Sequence, residues 1–243
     1  MQHWALTDVG VIRTQNQDAY HTVSLDDRTL LCVVCDGMGG AKSGNVASTL
    51  AADVFTQQVQ QTWKANMDEE KTDAMLSAAF KLANFTVYDQ SRQFEEFRGM
   101  GTTLVALLLQ GKKATFLNVG DSRGYIVDEA GIRQITVDHS MVQMMVIKGE
   151  LTPQQAKHYP GKNLITRAVG TEEHVACDVF HQDVKSGDCL LLCTDGLSNL
   201  VDDQEILFEV AYEDDREHCC QRLVELAKKR GAPDNVTCAL VVV

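Results

Sequence analysis

Between Leu30 and Gly44 the chain reads LLCVVCDGMGGAKSG, an apolar, β-branched run that breaks off at an aspartate and enters a glycine-dense turn. Residues 30–35 have no polar alternation, so they are expected to form a strand covered on both faces. Such a strand requires layers of structure above and below it. Asp36 stands at the expected strand exit, where a carboxylate leaves the core without being desolvated unpaired. Gly37, Gly39 and Gly40 permit a sharp turn and a close approach of backbone to a ligand. Ser43 is placed to cap a helix that starts near Gly44. Taken alone, the segment is equally an ordinary strand–turn–helix junction.

The rest of the pattern supplies the layers. Strands are expected at residues 1–10 and 19–24, with the polar segment RTQNQD between them and a turn at Asp26-Asp27. Helical periodicity follows over residues 45–64, with Val46, Leu50, Ala51, Val54 and Val59 as its apolar face. A second helix is expected over 72–93, striped by Met75, Leu76, Ala79, Leu82, Ala83 and Val87. Residues 102–110, 114–119 and 124–128 read as an antiparallel meander of strands. Ser140 opens a helix closed by Gly149, Thr152-Pro153 opens a short helical turn, and 158–170 is irregular. Strands at 175–180 and 189–193, helices at 202–212 and 217–230, and a last strand at 235–243 complete the chain. Strands and helices in this order predict an α+β fold, a four-layer α-β-β-α sandwich with two antiparallel β-sheets flanked by helices.

At 243 residues, with three prolines and no low-complexity linker, one domain over 1–243 is expected. The net charge of −12 argues against a broad nucleic-acid footprint, which needs clustered cations. No apolar run is long enough to span a bilayer, and the N-terminus has no signal-like basic and apolar regions, so a cytoplasmic location is expected. Among the eight cysteines, Cys32, Cys35, Cys189, Cys193 and Cys238 lie in strand-like runs and are expected to be structural. Cys32 and Cys35 have opposite parity in a strand, so this CxxC points to two faces and does not form a zinc pair.

Five aspartates share one kind of position, at the end of an apolar run or in a tight polar turn beside it: Asp18, Asp36, Asp121, Asp195 and Asp234. Each alone reads as a turn or cap residue. Together at strand ends they would repel unless cations neutralise them. Their oxygen donors suit Mg²⁺ or Mn²⁺ better than zinc.

The ordered set RxxNQD, DGMGGxxxG, GTT, GDSR, DHS, NxxTRAxG, DGL and GxxDN resembles the PPM/PP2C-type metal-dependent serine/threonine protein phosphatases in their compact bacterial form. The resemblance covers essentially the whole chain. It implies that Asp36 bridges two metal ions, with the Gly37 carbonyl as a further ligand, and that Asp195 and Asp234 complete the second metal. Asp18 joins the same cluster directly or through water. Asp121 corresponds to the ligand of a third, weaker ion shared with Asp195, and Arg13 to the residue that grips the phosphate. A hydroxide bridging the two ions would attack phosphorus in line, without a phosphoenzyme. The implied substrates are phosphoserine and phosphothreonine on proteins, with a cognate serine/threonine kinase as the opposing enzyme. No nucleic-acid or membrane partner is expected, and the chain is expected to be a monomer.

Two departures matter. Met38 and Ala41 stand where relatives carry a histidine, so the general acid is unassigned; a water held by the metals comes first, a histidine from elsewhere second. His139, in DHS, reads as a structural residue at a helix entry, and His158 as a residue of a flap over about 140–170. Arg167 is expected to order the base of that flap, and Met141, Met144 and Met145 to be helix core. The competing readings are a catalytically silent binding module and a metal-dependent phosphodiesterase or nuclease.

Overall fold

A computed structural model describes residues 1–39, 43–211 and 213–243. In chain order the strands and helices are β1 (Gln2–Asp8), β2 (Asp18–Asp26), β3 (Thr29–Met38), α1 (Gly44–Thr62), α2 (Glu69–Gln93), β4 (Gly101–Thr102), β5 (Leu104–Gln110), β6 (Lys113–Val119), β7 (Arg123–Asp128) and β8 (Gly131–Gln134). They continue with α3 (Met141–Ile147), α4 (Pro153–Lys157), β9 (Asp178–Asp183), β10 (Cys189–Cys193), α5 (Asp195–Ser198), α6 (Asp203–Ala211), α7 (Cys219–Lys229) and β11 (Val236–Val242). One antiparallel sheet has the order β1-β11-β10-β7-β8. The other runs β2-β3-β5-β6-β9, with β4 paired to the end of β3.

The four-layer α-β-β-α sandwich follows from strand parity. Leu31, Val33 and Cys35 pack with Ala47 and Phe55 of α1 and Leu76 and Phe80 of α2. Leu30, Cys32 and Val34 point the other way and meet Leu107, Phe116, Leu190 and Val241 between the two sheets. A third cluster joins Leu191, Cys193 and Leu240 to Ile206, Leu223 and Ala227, so α6 and α7 cover the outer face of the first sheet. Truncating a filler such as Phe116 to alanine is expected to cost about 3–5 kcal/mol, because the rigid sheets on either side cannot close the void. Cys32 and Cys35 sit in different cores, and both are free thiols.

Several expectations need correction. The strand does not end at Cys35; β3 runs to Met38 because Gly37 and Met38 pair with Thr102 and Gly101. Gly37 is therefore a strand residue, and Gly40 and Ala41 lie outside the described residues. Ser43 is the N-cap of α1 but makes no side-chain cap; its hydroxyl donates to the Gly39 carbonyl instead. On α1 the buried face is Ala47, Ala51, Ala52, Phe55 and Val59, with Val46, Leu50 and Val54 only partly buried. On α2, Phe80 is buried and Leu82 exposed. In both helices the strands below select one arc of a broader apolar surface.

The expected meander is broken after its second strand. β5 and β6 pair, but β7 leaves for the other sheet and pairs with β8 and β10. The chain crosses between sheets at Gly120-Asp121-Ser122. The strand expected at 175–180 begins later, at Asp178. The helix expected over 202–212 ends at Ala211, and Tyr212 lies outside the described residues. The methionines of α3 are not helix core: α3 has no buried residue, and Met141 and Met144 are exposed. That short helix packs beside α4, and none of its residues is fully buried.

Candidate active site

Backbone pairing brings the first two carboxylates together. Asp18 opens β2 and lies directly opposite Asp36 in the β2–β3 ladder. The Asp36 backbone is clamped by the GTT segment. Thr103 Oγ1 accepts the Asp36 N–H at 2.9 Å, and the Asp36 carbonyl accepts from Thr103 N at 2.9 Å and Thr102 Oγ1 at 2.8 Å. Gly37 is required by contact, since a Cβ there would lie 2.1 Å from the Gly44 carbonyl oxygen.

The other three aspartates arrive from the first sheet and the crossing between sheets. Asp195 is the first residue of α5, just past the end of β10. Asp234 lies in the turn before β11, and Asp121 in the crossing turn between β6 and β7. The α5 start and the Asp234-Asn235 turn press together: a Cβ on Gly196 would lie 1.9 Å from the Asn235 carbonyl oxygen.

Electrostatics unite the five. Burial pushes the Asp18 carboxyl up to about 7, with the Thr237 and Thr194 hydroxyls opposing the shift and the charges of Asp195 and Asp234 adding to it. Burial also raises Asp36 well above the usual carboxylate range, helped by repulsion from Asp18, Asp195, Asp121 and Asp234. Asp121 is pushed up to about 7 by burial and by Asp195 and Asp138. Asp195 is raised by burial and Asp234, against a hydrogen-bonding contact with Asp36. The structure thus gathers all five predicted aspartates into one mutually repelling neighbourhood. Among the described residues no three His, Cys, Asp or Glu side chains already form a closed cation cage.

Basic groups border the cluster. Arg13 Nη2 stands 2.8 Å from Asp234 Oδ2, and both side chains are partly exposed. Arg123, after the GDS turn, holds Asp138 through Nε at 3.1 Å to both oxygens and through Nη2 at 2.7 Å to Oδ2. Lys162 Nζ lies 3.3 Å from Asn199 Oδ1, whose amide donates to Asp195 Oδ2 at 2.9 Å. A cavity of about 500 Å³ beside Asp121 and Asp195 is lined on its far side by Gln143 and Val146 of α3 and by Lys157, His158 and Lys162.

His139 is built into the scaffold. Its Nδ1 accepts the Gly120 N–H at 3.1 Å and its Nε2 lies 3.1 Å from Asp178 Oδ2. Burial lowers its pKa despite the Asp178 hydrogen bond. Arg167 donates to Asp178 Oδ1 at 2.8 Å and to the Ala176 carbonyl at 3.2 Å, tying the flap base to β9.

Some residues at this site escaped the sequence reading. Asn235 accepts the Gln17 N–H at 2.8 Å and donates to the carbonyls of Val9 at 2.9 Å and Gln15 at 3.0 Å. Thr194 and Thr237 both donate to Asp18 Oδ2. Asn235 stood in the GxxDN motif without a role assigned to it, and the signal for Thr194 and Thr237 was only their nearness to Asp195 and Asp234, because polar neighbours in turns usually serve the turn itself.

The donor set fits hard divalent cations. It is all oxygen, the carboxyls of Asp18, Asp36, Asp121 and Asp195 are raised by burial and by neighbouring charge, and Asp18 Oδ1 is buried without a partner among the described residues.

Comparison with known proteins places the chain in a family. The Protein phosphatase 2C family model matches residues 13–238. The serine/threonine phosphatase Stp of Listeria monocytogenes serotype 4b is 34% identical over 235 residues, covering 97% of this chain and 93% of that protein. The crystal structure of the serine/threonine phosphatase Stp1 from Staphylococcus aureus superposes with a TM-score of 0.93 at 35% identity, covering 100% of this chain and 94% of that one. The catalytic domain of the serine/threonine protein phosphatase PstP, in complex with two manganese ions, superposes with a TM-score of 0.86 at 33% identity, covering 98% of this chain and 96% of that one. With the family model matching most of its length, relatives more than 30% identical over nearly the whole chain and the same fold in the superposed structures, this chain belongs to the protein phosphatase 2C family.

Proposed function

We infer that this chain is a metal-dependent protein phosphatase that hydrolyses phosphoserine and phosphothreonine on protein substrates. The observation that carries the reading is the gathering of Asp18, Asp36, Asp121, Asp195 and Asp234 from both sheets into one mutually repelling group beside Arg13. Asp36, Asp18, Asp195 and Asp234, with the Gly37 carbonyl, would hold two divalent cations, and Asp121 with Asp195 a third, weaker one. Mn²⁺ is the favoured ion, by analogy with the manganese complex of PstP, and Mg²⁺ the alternative. When bound, such cations would supply Lewis acidity, activating water near neutral pH and screening charge on the phosphoryl oxygens.

The rest of the work falls to the chain. The Arg13 guanidinium is exposed enough to turn from Asp234 toward a phosphoryl group, where its paired N–H donors match phosphate oxygens. Thr102 and Thr103 keep the Asp36 backbone from shifting as charge builds. The cavity under α3 and α4 receives the polypeptide that carries the phosphoresidue. His139 does not serve as the general acid, because both its ring nitrogens are engaged by Gly120 and Asp178. His158 is the histidine in the cavity lining.

The whole chain is proposed to act as one catalytic domain, monomeric and cytoplasmic, reversing a serine/threonine kinase. No helix among the described residues is long and apolar enough to cross a membrane. Hydrolysis of an aryl phosphate and a phosphothreonine peptide, with and without Mn²⁺, tests the activity. Mn²⁺-dependent release of phosphate from both is expected. No monoester hydrolysis at any metal concentration would overturn the reading, and turnover of diesters alone would move the chain to the nuclease class.

A further inference from the structure

A closed circuit of hydrogen bonds holds Asp18 and crosses from one sheet to the other. Asp18 Oδ2 accepts the hydroxyl of Thr237 at 2.6 Å and the hydroxyl of Thr194 at 3.0 Å. A threonine hydroxyl carries one proton, so each must meet its remaining polar contacts as an acceptor. The geometry obeys this. Thr194 Oγ1 accepts the backbone N–H of Thr237 at 3.0 Å. Thr237 Oγ1 lies 2.7 Å from Thr7 Oγ1, which is therefore the donor. Thr7 Oγ1 in turn accepts from Asn16 Nδ2 at 2.8 Å, while Asn16 Oδ1 accepts the backbone N–H of Asp18 at 3.1 Å.

The Thr194 and Thr237 hydroxyl protons thus both point to Asp18 Oδ2, and the Thr7 proton points to Thr237 Oγ1. Two hydroxyls donate to Oδ2, which matches the two acceptor sites of a carboxylate oxygen. Oδ1 is inaccessible to solvent and has no partner among the described residues. Thr194 and Thr237 are fully buried, so the circuit cannot exchange its bonds for water.

We propose that Thr194 and Thr237 are positioning residues that, by occupying Oδ2, leave Oδ1 as the one oxygen through which Asp18 serves the divalent cations. This rests on the phosphatase reading of the acidic cluster. A carboxylate with both oxygens free can rotate or chelate. With one oxygen tied down, Asp18 offers a single acceptor in a fixed plane. Hydrogen-bond partners behind a metal-binding group are typically worth about 10–100-fold in metal affinity.

The test is calorimetric titration of Mn²⁺ into the full chain, with the melting temperature of the metal-free protein recorded in parallel. Thr237→Val and Thr194→Val are each expected to weaken Mn²⁺ binding by roughly tenfold or more. Thr237→Ser and Thr194→Ser keep the hydroxyl and are expected to bind close to wild type. If the threonines merely tie the sheets together, the valine variants will melt lower yet bind Mn²⁺ as the wild type does, and the proposal is wrong. Serine variants as weak as the valine variants would also overturn it. If Thr237→Val does not fold, Thr194→Val carries the same comparison, because both hydroxyls reach the same oxygen. A wild-type chain that binds no Mn²⁺ would instead sink the metal-site reading itself.

Discussion

Asn235 Oδ1 accepts the backbone N–H of Gln17 at 2.8 Å, joining the turn before the last strand to the segment that delivers Asp18. The same side chain donates to the Val9 and Gln15 carbonyls at 2.9 and 3.0 Å, so one amide fixes both ends of the loop that carries Arg13. Asn235→Asp removes both donors and adds a negative charge beside Asp234. It is expected to cost about 2–4 kcal/mol of stability and to lower kcat/KM, read by denaturant unfolding and phosphopeptide kinetics. Wild-type stability would contradict the clamp.

Asp36→Asn separates chemistry from stability. The amide removes one charge from a buried repelling group, so the metal-free variant should melt at or above the wild-type temperature. Turnover should fall by roughly a hundredfold or more. Activity near wild type would refute the metal-bridging role.

Arg13→Ala tests phosphate binding. Its ion pair with Asp234 is half exposed and contributes little to folding, about 0–1 kcal/mol. The melting temperature should hardly move, while kcat/KM for phosphopeptides drops by about 10²-fold. Arg13→Lys should recover only part of this, because an ammonium lacks the paired donors. Full recovery by lysine would argue for charge alone.

The raised carboxyls predict how stability depends on pH. Asp18 and Asp121 are pushed up to about 7, and Asp36 and Asp195 are also raised. In the unfolded chain these groups titrate near about 3.9. Between those values the folded chain holds protons that the unfolded chain has released, so stability falls as pH rises from about 4 through about 7. Metal-free protein should melt several degrees lower at about pH 7.5 than at about pH 5.5, and Mn²⁺ should raise the melting temperature more at the higher pH. A melting temperature that rises over this range would show that the carboxyls are ionised without cost.

His139→Ala should act through the scaffold. It strips the Gly120 N–H of its acceptor next to Asp121 and leaves Asp178 Oδ2 without its imidazole partner, with Arg167 still on Oδ1. The expected loss is about 1–3 kcal/mol of stability, with KM for a small aryl phosphate little changed. A selective fall in kcat at unchanged melting temperature would assign His139 a direct part in the chemistry.

The layers and the acidic set were readable from the chain alone. The unbroken apolar run of β3 demanded cover on both faces, and strand parity sent Cys32 and Cys35 into different cores. The five aspartates stood at strand ends, where a short local pattern is enough to mark them. What could not be read locally was which ends meet. The sequence pattern treated β5, β6 and β7 as one meander, yet β7 crosses to the other sheet and carries Asp121 with it. Both arrangements bury the same residues on the same strand parity, so hydrophobic pattern cannot choose between them. The choice lies in long-range pairing and in side chains such as Asn235, Thr194 and Thr237. Their partners lie up to 226 residues away along the chain and only a hydrogen bond away in the fold.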